Sequence, residues 1–151
     1  MERERQGFED LECYKLALQV LKETYALAKR LPDIERYNLA DQMRRSATSA
    51  VLNIAEGYGR YHYLDSLRFY YIARGSLMET LSAFVGCEVV GYVEQTELER
   101  LRQLIHSALR SLNGYVRYVR KQQQGHQEYG SQAFHETQAV YLTIPNGFSD
   151  E

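Results

Sequence analysis

Residues 49–60, Ser49-Ala-Val-Leu-Asn-Ile-Ala-Glu-Gly-Tyr-Gly-Arg60, place a polar row inside an apolar helical pattern and then run into glycine. Leu39, Met43, Ala47, Ala50 and Ile54 fall on one face at helical spacing. Gln42, Arg45, Ser49, Asn53 and Glu56 follow one another beside that face at intervals of 3, 4, 4 and 3. The pattern predicts a helix from about Tyr37 to Glu56. Gly57 and Gly59 fit the left-handed turn that ends helices, where a Cβ would clash.

The same periodicity extends outward on both sides. Leu11, Tyr14, Leu18, Leu21, Tyr25 and Ala28 recur like the seam of a bundle helix, predicting a first helix from about Glu9 to Leu31. A second apolar row, Cys13, Leu16, Val20, Leu27 and Leu31, centres about 130° away. Together the rows span nearly twice the ~100° stripe that an outer helix of a lone bundle needs. This helix is therefore expected to bury a second face, against a neighbouring subunit or the C-terminal tail. Pro32 and Asp33 close it. Leu67, Tyr71, Met78, Leu81, Val85 and Val89 predict a third helix over about Tyr63 to Gly91, ended by Gly91. Thr96 and Glu99 make a capping box for a fourth. That helix runs on Leu98, Leu101, Ile105, Leu109, Leu112, Val116 and Val119 to about Gln122. Long helices, short connections and no strand-length alternation before residue 138 predict an all-α fold. The architecture expected is an antiparallel up-down-up-down four-helix bundle over residues 1–122.

A chain of 151 residues is expected to form one domain with a real core. The charged start, Met1-Glu-Arg-Glu-Arg, has no apolar leader, and no run approaches the roughly 20 apolar residues of a membrane span. Cys13 and Cys87 have neither CxxC nor metal-type spacing and are expected to be buried and free. The expectation is a cytoplasmic protein with no membrane partner. All 18 Lys and Arg lie in residues 1–121 against 16 acids, a net +2. That balance lacks the overall basicity of a protein that binds nucleic acid by charge alone, so such binding would need a local patch. The rest of the chain carries four acids and no Lys or Arg. Residues 123–138 read as a flexible polar linker. Ala139-Val-Tyr-Leu-Thr-Ile144 is apolar and β-prone. Val140, Tyr141, Leu142 and Ile144 could dock on a partner's groove or sheet edge, or cover an apolar face of the protein's own ring. The plain alternative is a disordered tail.

The run YNLADQMRRSATSAVLNIAEGYGR over residues 37–60, followed by IARGSLMETLSAF over 72–84 and GYV over 91–93, resembles the bacterial four helix bundle protein family. That family was first noticed as products of intervening sequences in large-subunit ribosomal RNA genes. The resemblance starts near Phe8-Glu-Asp-Leu11 and covers most of residues 8–121. Its most specific parts are Ser49, the Asn53-Ile-Ala-Glu-Gly57 run, and Gly75-Ser76 with Glu79. It implies an antiparallel bundle that assembles as a ring-shaped homopentamer, with no established catalytic activity. The family is also similar in fold to the accessory proteins of diversity-generating retroelements, pentamers that bind a reverse transcriptase and its RNA. Those relatives look strongly basic, and this chain does not.

A di-iron bundle needs Glu-x-x-His motifs, and none occurs; His106 follows Gln103. Ser49 and Ser76 have no histidine on the same expected face, and Gly57-Tyr-Gly59 lacks the lysine and preceding strand of a phosphate loop. No metal, no cofactor and no enzymatic activity are expected. Arg45, Ser49, Asn53 and Glu56 instead lie opposite Arg74, Gly75, Ser76, Glu79 and Ser82. We expect a polar network tying the second and third helices, with Arg45 or Arg74 meeting Glu79 or Glu56. The alternative use of the same groups is a ligand or RNA pocket. Two features suit RNA. Arg102, His106, Arg110, Arg117, Arg120 and Lys121 share an arc of the fourth helix. Tyr58, Arg60, Tyr61, His62, Tyr63 and Arg68 mix aromatic rings with cations. The ordinary readings are a solvated basic face near a helix C-terminus and tyrosines with ring inward and hydroxyl outward. The function expected is a non-enzymatic, homo-oligomeric scaffold or interaction protein, with the pentamer implied by the resemblance. The alternative is an accessory protein that binds RNA or a reverse transcriptase through the basic face of the fourth helix.

Overall fold

The computed structural model describes residues 7–122. Helices α1 (Glu12–Arg30), α2 (Leu39–Tyr58), α3 (Tyr63–Val89) and α4 (Gln95–Gln122) follow in order, with 3-10 turns at Gly7–Asp10 and Asp33–Glu35. Each helix packs on its neighbours in sequence, and α4 returns to α1, closing a four-helix bundle. The expected linker and the Val140, Tyr141, Leu142 and Ile144 segment lie outside the described residues.

The core is built from one face of each helix. Cys13, Ala17, Val20 and Leu27 of α1 meet Met43, Ala47 and Ile54 of α2, Tyr70, Leu77 and Phe84 of α3, and Leu101, Ile105 and Leu112 of α4. The face of α1 that turns inward is not the one with the most regular large apolar residues. Leu18 and Tyr25 stay 39% and 43% exposed, while the row of Cys13, Ala17, Val20, Thr24 and Leu27 is buried. Thr24 can sit there because its hydroxyl donates to the Val20 carbonyl at 2.7 Å, leaving no bare polar atom in the core.

Two helix ends differ in cause from the sequence expectation. α2 continues through Gly57 to Tyr58, and Gly59 has an ordinary helical φ of −78°. Gly57 is required by packing: an added Cβ would lie 2.6 Å from Cε1 of Tyr70, which sits against this point of α2. Thr96 does not cap α4, which already begins at Gln95. The start of α2 is held by Glu35, whose carboxylate accepts from the Leu39 backbone N–H at 3.1 Å and from Asn38 Nδ2 at 3.1 Å. Gly91, by contrast, does stop α3 in the left-handed region, with φ of 87°.

The end of the bundle holding these turns is tied by polar contacts. Arg30 donates to both carboxylate oxygens of Glu97, at 2.7 and 2.8 Å, joining α1 to α4. The Tyr92 hydroxyl donates to Glu35 at 3.0 Å, which raises its phenol pKa.

Candidate functional site

The seam between α2 and α3 is built from small hydroxyls. Ser49 and Ser76 oxygens lie 2.8 Å apart, and Asn53 donates to the Ser49 carbonyl at 2.8 Å and to its hydroxyl at 3.1 Å. One turn toward the α2 N-terminus, the Ser46 and Thr80 hydroxyls lie 2.8 Å apart; Ser46 is 4% exposed and Thr80 is fully buried. Short side chains let the two helices approach closely and, among the described residues, leave no buried polar side-chain atom without a partner. Gln42 donates to Glu79 at the rim of the same seam.

The charged members of the expected network are placed elsewhere. Arg45 is 73% exposed and sits 3.6 Å from Asp41 of its own helix. Glu56 accepts from Arg60, also local, at 2.6 Å. Arg74 turns to α4, where it donates to Asn113 at 2.5 Å; partial burial lowers its pKa. The serines and Asn53 are thus brought together, with Gln42 and Glu79 beside them, while the arginines serve other contacts. A long charged side chain would lose its hydration in so narrow a seam, whereas hydroxyls pair there at little cost. The Ser46–Thr80 pair was missed because the sequence reading followed the more polar neighbouring row.

Outside this seam an apolar belt crosses the bundle surface. Leu18 and Tyr25 of α1, Leu52 of α2 at 62% and Ile72 of α3 at 41% remain exposed. Tyr25 and Leu52 line one shallow groove with Thr48, Ser49 and Asn53. Gly75 lies on the same outer side of α3, one turn from Ile72, and a Cβ added there would meet nothing within 4 Å. Nothing inside the described residues explains that glycine.

The opposite side is charged. Arg102 pairs with Glu99 at 3.4 Å, and Arg110 donates to Ser107 at 3.3 Å. Arg117, Arg120 and Lys121 are exposed on the last turns of α4. Among the described residues no carboxylate pairs with Arg110, Arg117, Arg120 or Lys121. In the connector, Tyr61 is 71% exposed, Tyr63 is buried, and the Arg60 guanidinium stacks 4.6 Å from the Phe69 ring centre. The connector therefore divides between core and solvent and does not form one continuous aromatic surface.

At this same end the bundle opens into a crevice of about 580 Å³. Tyr58, Tyr70, Tyr115 and Tyr118 line it, with Leu11 and Val119, and Asp10 and Arg60 stand among its polar residues. Tyr70 packs edge-on to Tyr115 with ring centres 5.3 Å apart, and Tyr115 stacks on Tyr118 at 6.1 Å. Burial, reinforced by Tyr115, pushes the Tyr70 phenol pKa far up. The signal for this crevice was present in the sequence: up-down topology brings residues near 10, 58, 70 and 118 to one end.

Cys13 and Cys87 are free and buried, and burial pushes both thiols up to about 11. Among the described residues no three His, Cys, Asp or Glu side chains gather as a metal site. No helix there is long and apolar enough to cross a membrane.

A family model described as 23S rRNA-intervening sequence protein matches residues 9–114. No curated protein matches the chain. Among solved structures, a crystal structure of a protein of unknown function from the S23 ribosomal protein family of Bacteroides thetaiotaomicron VPI-5482 is similar in fold. Its TM-score is 0.64 at 19% identity, covering 69% of this chain and 97% of that one.

Proposed function

The chain belongs to the 23S rRNA-intervening sequence protein family, and on that footing we propose that it is a non-enzymatic, homo-oligomeric scaffold whose copies close a ring of five. The observation that carries the proposal is the apolar belt over α2. Leu18, Tyr25, Leu52 and Ile72 are all more than a third exposed on the single chain. An exposed patch of this kind, bordered by polar residues, is typical of a protein–protein interface. Gly75 supports the same reading: open space at its Cβ position lets a neighbouring helix approach closely. Five is the number that the family resemblance implies. The proposal gives the protein no catalytic role, since Ser49 and Ser76 bond to each other and Ser49 accepts from Asn53, with no general base against them.

The test is a Leu52→Asp, Ile72→Asp double variant, measured by native mass spectrometry and circular dichroism. Both side chains are exposed, so the fold should survive while the assembly falls to single chains. An assembly unchanged in the double variant contradicts the proposed interface.

A second reading, an accessory protein for RNA or a reverse transcriptase, draws on the exposed Arg110, Arg117, Arg120 and Lys121 of α4, which meet no carboxylate among the described residues. Counterion release makes such binding fall steeply with salt. It predicts salt-dependent binding to structured RNA that weakens in the Arg110→Ala, Arg117→Ala, Lys121→Ala variant. No binding at low salt, or binding untouched by the three substitutions, removes this reading.

A further inference from the structure

We propose that the apolar segment Ala139–Ile144 of this same chain docks, through Tyr141 and Leu142, in the tyrosine-lined crevice at the end of the bundle. Tyr118 and Val119 belong to the last turn of α4, which ends at Gln122. The residues beyond therefore set out from the lip of the crevice. Sixteen residues, 123–138, separate that lip from the segment. Polymer statistics give sixteen residues a mean reach of roughly 20–24 Å, ample to return to their own starting point. A crevice of about 580 Å³ is large enough for two side chains and too small for the whole segment.

The chemistry of the two surfaces matches. Half-exposed Tyr58 and Tyr118 rings offer apolar faces to Tyr141 and Leu142. Arg60 stands in the lining with Asp10, and α4 leaves the crevice through the exposed Arg120 and Lys121, while the flanks of the segment carry Glu128, Glu136, Asp150 and Glu151 and no Lys or Arg. The short tether gives an effective concentration in the millimolar range, far above that of a second copy in dilute solution. Weak contacts are therefore sufficient for occupancy.

Hydrogen exchange read by mass spectrometry tests this on the intact chain. Amides of residues 139–144 should exchange about fivefold more slowly than in a free peptide covering residues 123–151, as expected when effective concentration exceeds the dissociation constant a few times. A Tyr58→Ala, Tyr118→Ala chain should return them to the peptide rate; so should Tyr141→Ser, Leu142→Ser, which leaves the bundle untouched. Exchange at the peptide rate in the intact chain overturns the proposal, as does protection that survives loss of Tyr58 and Tyr118. Mixing separates the source of the segment. Chains ending at residue 122 are co-refolded with the Tyr58→Ala, Tyr118→Ala chain. Protection restored to the latter's segment would place it in another copy and overturn docking within one chain; continued fast exchange is the result expected.

Discussion

Gly57→Ala should unfold this protein more easily, although alanine is the better helix former. The added Cβ would stand 2.6 Å from Cε1 and 2.9 Å from Cδ1 of Tyr70, and 3.0 Å from the Ser66 carbonyl oxygen. One of these neighbours is backbone. The other is a ring only 1% exposed and set edge-on against Tyr115, so it has little room to swing away. Overpacking of this kind costs about 1–3 kcal/mol. Alanine returns at most about 1 kcal/mol of helix propensity, and less here because Gly57 is the next-to-last residue of α2. The net loss is about 1–2 kcal/mol, which lowers Tm by roughly 4–8 °C in a domain of this size. Gly86→Ala is the control, because its Cβ would meet only Leu39 Cδ1 at an ordinary 3.9 Å. Urea and thermal unfolding followed by circular dichroism should place Gly57→Ala below wild type and Gly86→Ala at or above it. Adding Tyr70→Leu to Gly57→Ala should cost less than the two substitutions separately, since the clash would already be gone. A Gly57→Ala chain that melts at or above wild type, or no lower than Gly86→Ala, refutes the packing argument.

Other outcomes follow from the same contacts. Ser46→Ala and Thr80→Val should each cost about 1 kcal/mol, and together less than their sum, because each removes the other's partner; strict additivity in urea unfolding would argue against a shared bond. Gly75→Ala should leave the single-chain fold intact while weakening assembly, checked by light scattering across a dilution series. Because folded Cys13 and Cys87 hold their protons to about pH 11 and unfolded thiols ionise from about pH 9, stability should fall as pH rises through that window. A Cys13→Ala, Cys87→Ala chain should show a shallower decline in unfolding free energy over the same window. Arg30→Ala should cost no more than about 1 kcal/mol, since its ion pair with Glu97 is solvent-exposed.

The number, order and approximate span of the helices were legible because large apolar residues recur at helical spacing in all four. Which of the two apolar rows of α1 turns inward was not, and the reason is specific. Periodicity weighs Leu18 and Tyr25 above Ala17 and Thr24, yet close packing in the core favours the small residues, and Thr24 satisfies its own hydroxyl through Val20. The two exposed residues are the ones the proposed interface uses. Glycine carries a similar ambiguity, since one letter serves a left-handed turn at Gly91 and a close helix contact at Gly57. The α2–α3 seam was recognised through Ser49, Asn53 and Ser76. Its arginines were misdirected because reach along a helix does not show which neighbour a long side chain will choose. The crevice went unread although up-down topology already brings its lining to one end, because Leu11, Tyr58, Tyr70 and Tyr118 belong to four separate periodic patterns.

The most direct test of the central claim is the mass of the intact chain in solution by light scattering or native mass spectrometry. Five chains of 17.6 kDa give about 88 kDa, the value the ring predicts. A mass of 17.6 kDa, held up to high protein concentration, would leave the apolar belt without a second copy and contradict the account.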